Sequence, residues 1–190
     1  MNAIFKRVSV REFTDKPVEA AKANALLRAA LAAPSAGHQQ PWEFYVVTEP
    51  SVIARLGEAT KYSKPAGAAP LVIVPCKRNN GMRHEAFVDQ DMSAAVENIL
   101  LEAVEQCLGA VWMGVAPKEG RMEIVRNILN IPANLDAFAL VAVGYPAEQA
   151  SQKDRFDASR IHEITPAKEP YTVDAEAIAG TFAARVLGME

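Results

Sequence analysis

The chain has 190 residues, half of them hydrophobic and 23% charged, the balance of one soluble folded domain and not of a disordered polymer. A formal net charge of −3 excludes nucleic acid as the principal partner, because neutralising a phosphate backbone takes a surplus of Lys and Arg. No apolar run approaches the ~20 residues that cross a bilayer, and residues 1–7 are too poor in apolar side chains for a secretory leader, so the expectation is a cytoplasmic protein without a membrane partner.

In chain order, Pro17 and the stripe Leu26, Leu27, Ala30 and Leu31 predict a helix over 18–33. It must stop there, because a residue preceding Pro34 is driven out of the helical region, and 34–38 (Pro-Ser-Ala-Gly-His) is loop chemistry. Residues 44–48 read as a strand and 50–56 as a short helix. The continuous apolar run 71–74 predicts a strand buried on both faces. Val88, Met92, Ala95, Val96, Ile99, Ala103 and Cys107 recur at spacings of three and four, which predicts a central helix of roughly 20 residues ended by Gly109. A short apolar segment at 111–113, a helix over 119–129 and a strand over 138–144 follow, the last stopped by Tyr145 and Pro146. A helix-compatible pattern occupies 173–187. Strands and helices mix without strict βαβ alternation, so the fold class is α+β. Cys76 and Cys107 have no metal-ligand spacing and read as buried, reduced thiols.

The familiar catalytic signatures are missing: no Walker lysine loop, no Gly-x-Gly-x-x-Gly, no His-Glu-x-x-His and no Gly-x-Ser-x-Gly. His38, His84 and His162 lie far apart in sequence, and no oriented nucleophile supports a hydrolase. What is present is charge at both ends of the chain. Arg7, Ser9 and Arg11 fall at every second position, so an extended segment points two guanidinium forks and a hydroxyl to one side, a cradle for a phosphate dianion. Lys153 and Arg155 form a second basic cluster, with Arg160 further on. By spacing alone, solvated surface charge is the commoner fate of such residues. Loop 34–42 combines prolines, a glycine, hydroxyl and amide groups and Trp42, which suits a planar hydrogen-bonding ligand, although Trp42 also fits the core.

Four of these segments together resemble the nitroreductase family. They are Lys6-Arg7-Val8-Ser9-Val10-Arg11-Glu12-Phe13, the loop from Pro34 to Trp42, Ile131-Pro132 followed by 138–146, and the stretch from Lys153 to His162. The resemblance covers residues 4–163, in the family's order and spacing. It implies a nitroreductase-like fold, with a mainly antiparallel central sheet flanked by helices and a long central helix in a homodimer. It divides the chain into an FMN-binding domain over 1–165 and a C-terminal extension over 166–190, for which helical dimer wrapping is the role considered.

By the same resemblance, Arg7, Ser9 and Arg11 hold the FMN phosphate and ribityl chain, joined by Lys153 and Arg155 of the same subunit. Ser35 and His38 approach from the other subunit, and Pro34 is a further cofactor-binding residue. The backbone of Gly114 and Val115 lies against the isoalloxazine, one of their N–H groups pointing at N5, and Lys64 reaches toward the pyrimidine edge. Flavin carries out the redox step while protein supplies position and electrostatics, so no side-chain acid or base is required. The implied activity is ping-pong transfer from NADH or NADPH to a nitroaromatic, quinone or other small acceptor. The rivals are a more specialised flavin reaction on the same fold and a flavin-binding protein with negligible turnover. Two positions depart from the family pattern. Val8 stands where a polar or basic residue is common, and His38 replaces asparagine with a ring that can change charge near neutral pH.

Overall fold

The structure, a computed structural model, describes residues 3–162 and Ile164. The expected domain boundary at 165 and the helical pattern at 173–187 lie outside the described residues. Among the described residues, six α-helices and five strands follow one another as α1 (Ala3–Lys6), α2 (Ala20–Leu31), β1 (Trp42–Val47), α3 (Pro50–Glu58), α4 (Lys64–Gly67), β2 (Leu71–Arg78), α5 (Val88–Glu105), β3 (Gly109–Gly114), α6 (Glu119–Leu129), β4 (Leu135–Ala137) and β5 (Ala139–Gly144). The strands form one sheet in the order β1-β2-β5-β3, with β4 pairing the far end of β2, and every pairing between them is antiparallel.

Helices cover both faces. On one, Leu26 and Ala30 of α2 and Met92, Val96 and Ile99 of α5 pack against Leu71, Ile73, Val141 and Val143. On the other, Ile53 and Leu56 of α3 and Val125 of α6 meet Val72, Val74, Leu140 and Ala142. Successive residues of β2 and β5 thus enter opposite layers, as the period of two requires, and the continuous apolar run reflects burial on both sides. Two polar contacts tie the long helix to its neighbour: Lys22 Nζ donates to the Gln106 carbonyl at 2.6 Å and Asn98 Nδ2 to the Ala29 carbonyl at 2.9 Å. The lysine thereby neutralises orphan carbonyl charge at the C-terminus of α5.

Several boundaries differ from the sequence expectation, each for a local reason. Helix α2 starts at Ala20, not 18, leaving Pro17 outside it. Helix α5 ends at Glu105. Cys107 takes the left-handed conformation (φ 57°), and the N–H groups of Cys107 and Leu108 donate to the carbonyls of Val104 and Ala103, a Schellman closure with cysteine where glycine is usual. Gly109 is therefore not the stop of the helix. It opens β3, where a Cβ would come within 2.7 Å of the Val10 side chain, so the position lets Val10 pack directly on the strand backbone. Cys107, expected to be buried, is exposed. Strand β2 runs four residues past its apolar core through Pro75. The proline sits where β2 changes partner from β5 to β4, so its missing N–H falls in a gap of the ladder. Strand β4 was not anticipated.

Among the described residues, no helix is long and apolar enough to cross a membrane, and no group of His, Cys, Asp and Glu gathers to hold a metal ion.

Candidate functional site

Strand β3 lies at the edge of the sheet, and its free side organises the site. In the β3–β5 ladder Val115 is opposite Phe138 and its N–H donates to the Phe138 carbonyl at 3.1 Å. Hydrogen-bonded pairs alternate along an antiparallel ladder, so Ala110, Trp112 and Gly114 turn their backbone groups outward. Two contacts agree with that polarity. The Ala110 carbonyl accepts from the Val10 N–H at 3.0 Å, and the Gly114 carbonyl accepts from Arg121 Nη1 at 3.3 Å. Of the two backbone positions singled out from the sequence, Val115 has its N–H already engaged and is buried. Gly114 is exposed, and nothing stands within 4 Å of where its Cβ would be.

The N-terminal segment joins this edge through a parallel bridge between Ser9 and Ala110. Its alternation sorts the side chains. Val8 and Val10 line a cavity of about 400 Å³ with Leu100, Val104, Leu108 and Cys107, whereas Ser9 and Arg11 are exposed. Val8, the departure from the family pattern, therefore faces this cavity, away from Ser9 and Arg11. Arg7 Nε is 3.5 Å from Glu97 Oε1 of α5, and Arg11 Nη1 donates to the Ser9 carbonyl at 3.2 Å. The second basic segment comes to the same place, because Gln152 Nε2 donates to the Arg7 carbonyl at 3.0 Å. Lys153 and Arg155 flank Asp154, whose carboxylate accepts the Phe156 N–H at 2.9 Å, and both cations are exposed.

Loop 34–42 is held differently. Gly37, His38 and Gln40 all have positive φ (54°, 56° and 46°), two of them non-glycine residues in the disfavoured left-handed region. Asp91, on the core-facing side of α5 and only 6% exposed, fixes the turn. Its Oδ1 accepts the Ala36 N–H at 2.9 Å and its Oδ2 accepts Gln39 Nε2 at 2.7 Å. The same Gln39 amide also grips a second loop, donating to the His84 carbonyl at 3.1 Å and accepting the His84 N–H at 3.0 Å. Ser35 Oγ accepts the Gln40 N–H at 3.0 Å. A Cβ on Gly37 would sit 2.5 Å from His84 Nε2, so two histidines treated as separate by sequence lie on touching loops. Pro34 and His38 are exposed, and Trp42 is buried in the core.

Asp91 and Glu97 stand six residues apart on α5, about 9 Å along its axis and roughly 120° around it. The two halves of the candidate set thus approach α5 from different sides. Sequence reasoning missed Asp91, Gln39, Glu97 and Gln152. Asp91 did carry a signal: it falls three residues after Val88 on the apolar stripe, and a carboxylate in such a stripe needs polar partners. Lys64 starts α4 and is exposed, with no hydrogen bond or ion pair to a described residue drawing it toward Gly114.

The model of the nitroreductase family matches residues 4–81 and 58–145. This chain belongs to that family. The nitroreductase match takes in the N-terminal segment, loop 34–42, α5 and the edge of β3. A protein of Archaeoglobus fulgidus carrying the provisional name NADH dehydrogenase/NAD(P)H nitroreductase is 36% identical over 167 residues, covering 85% of this chain and 95% of its own. The NADH dehydrogenase of Thermus thermophilus is 30% identical over 84% of this chain and 92% of its own. Among solved structures, a provisionally named nitroreductase of Desulfovibrio desulfuricans in complex with FMN is 30% identical with a TM-score of 0.74, covering 86% of this chain and 96% of that one. The α+β architecture is that of the nitroreductase fold.

Proposed function

We propose that this nitroreductase-family protein is an FMN-dependent oxidoreductase that draws electrons from NADH or NADPH and delivers them to nitroaromatic, quinone or related small acceptors. The observation that carries the reading is the free edge of β3. At one end Ser9 is bridged to Ala110, with Arg11 bonded to the Ser9 carbonyl; at the other, four residues and roughly 13 Å along the strand, Gly114 turns its backbone outward and leaves the space above its Cα open. That is a phosphate cradle and a flat backbone platform at a separation suited to a flavin mononucleotide. The FMN complex of the D. desulfuricans relative supports the same cofactor.

The residues fit the group. Arg11, Lys153 and Arg155 have no ion-pair partner among the described residues and supply charge-assisted bonds to a phosphate dianion. Arg7, already paired with Glu97, positions the strand and offers its remaining N–H groups. The outward Gly114 N–H would lie toward the ring, where a fixed dipole would stabilise negative charge on the reduced flavin. When bound, FMN supplies the redox chemistry, accepting a hydride from the nicotinamide and passing electrons to the acceptor in a second half-reaction at the same face. Pro34, Ser35 and His38 lie on a loop anchored to another side of α5, which supports their serving the site of a partner subunit in a homodimer. In this reading residues 1–165 form the flavin-binding unit and 166–190 extend it.

The test is direct. The purified protein is expected to be yellow and to release FMN, not FAD, on denaturation, and to oxidise NADH or NADPH when an acceptor is added. A colourless protein that takes up no added FMN overturns the proposal. Shared sites are tested by mixing an Arg11→Glu variant with one in which Ser35 and His38 are both made bulky. Random exchange leaves about half the dimers mixed, each with one intact site, so activity should return to roughly a quarter of wild type.

A further inference from the structure

One surface feature beside Gly114 is not needed for binding a flavin. The turn at 60–63 is locked by Ser63, fully buried, whose hydroxyl lies 2.8 Å from the Thr60 carbonyl and 3.0 Å from the Gly57 carbonyl and accepts the Thr60 N–H at 2.8 Å. This rigid turn presents Tyr62 with 58% of its surface exposed. Two cations flank the ring: Lys61 Nζ is 4.8 Å from its centroid and Arg121 Cζ is 5.5 Å away. The same Arg121 donates to the Gly114 carbonyl, linking the aromatic ledge to the platform. Neither cation is in an ion pair with any described acidic residue. The ledge thus displays one aromatic face beside two cations without a described acidic partner, chemistry that suits a ring carrying an anion.

We infer that Lys61, Tyr62 and Arg121 form an acceptor-binding ledge selecting planar aromatic acceptors that carry an anionic group, such as a carboxylate or sulfonate. The acceptor ring stacks on Tyr62. Its anion meets the guanidinium of Arg121, with Lys61 as a second charge, while its reducible group extends over Gly114. Arg121 and Tyr62 are thus specificity-determining residues of the reaction proposed above, and the inference rests on that reading. Cation and ring reinforce one another, because Arg121 stays oriented by the Tyr62 face and the Gly114 carbonyl before any acceptor arrives.

The test compares 4-nitrobenzoate with 4-nitrobenzamide, acceptors of nearly equal shape and different charge, on the FMN-loaded protein. The quantity followed is the ratio of their kcat/KM values across variants, so intrinsic differences in reducibility cancel. Arg121→Gln, which keeps a donor for the Gly114 carbonyl, is expected to lower the benzoate-to-benzamide ratio about fivefold, mainly through KM for the anion. Lys61→Gln, which touches nothing on β3, should lower it by less in the same direction. Arg28→Gln, an exposed charge on α2, controls for net charge and should leave the ratio alone. Raising ionic strength should shrink the wild-type preference more than that of Arg121→Gln, in which Lys61 alone remains. If both ledge variants keep the wild-type ratio, or if only the KM for NADH or NADPH moves, the inference is overturned. The flavin spectrum of the same samples separates the two failures. A yellow protein with an unmoved ratio refutes the ledge alone, and a protein that binds no flavin refutes the proposed function and the ledge with it.

Discussion

Loop 34–42 and segment 7–11 carry the two halves of the candidate cofactor set, yet they are held in opposite ways. The loop has three left-handed residues and a buried carboxylate beneath it, so its shape is imposed by hydrogen bonds to Asp91 and Gln39. The segment is extended, pinned to the sheet by one parallel bridge and the Val10 to Ala110 bond, with Arg11 in solvent and Arg7 half-buried against Glu97. Preorganised shape costs stability to build and is lost abruptly, whereas exposed charge costs little and is lost one increment at a time. The two halves should therefore answer mutation differently.

The largest effect is expected at Asp91. Asp91→Ala strands the Ala36 N–H and one of the two Gln39 amide N–H groups in a half-buried place and should destabilise the fold by about 2–4 kcal/mol. Asp91→Asn keeps one acceptor and should cost roughly half as much. Denaturant unfolding measures both, and a loss under 0.5 kcal/mol for Asp91→Ala would show that the loop holds its shape without the carboxylate. Arg11→Ala or Arg155→Ala should leave stability within about 0.5 kcal/mol of wild type but weaken FMN binding by roughly one to two decades. Fluorescence titration of the flavin reads this, and wild-type affinity in both would return these arginines to the solvated surface. The smallest effect contrasts the two thiols. Burial, with Glu43 adding to it, pushes the Cys76 thiol up to about 12. Cys107 is exposed. A thiol reagent should label Cys107 alone in the native protein at neutral pH, with Cys76 reacting only on unfolding. Because the folded value of Cys76 exceeds that of the unfolded chain, its contribution to stability is complete below about pH 9 and declines as pH rises toward 12.

The layered core could be seen in the sequence because period-two and period-3.6 patterns are imposed by burial itself: 71–74, 119–129 and the stripe from Val88 to Ala103 all landed on core-facing elements. Local chemistry was less transparent where one residue had two meanings. Pro75 looks like a strand terminator until the change of pairing partner is known. Gly109 looks like a helix stop, but Cys107 performs that function through a conformation no periodicity reveals. Strand β4, three residues long, has no pattern to detect. At the site, the alternating Arg7, Ser9 and Arg11 could be read because neighbours in sequence share one extended segment. The clamp joining Gln39, His84 and Asp91 could not, since its members meet only after the chain has folded across more than forty residues.

The free edge of β3 has one more consequence. Its six residues, Gly-Ala-Val-Trp-Met-Gly, include no charge and no proline, the kind of strand that recruits another chain when its backbone is left unpaired. Residues 9 and 10 occupy that margin at Ala110, and Arg121 covers the carbonyl of Gly114 at the other end. The segment proposed to grasp a phosphate therefore also acts as a selvage, closing the sheet against polymerisation before any cofactor is bound.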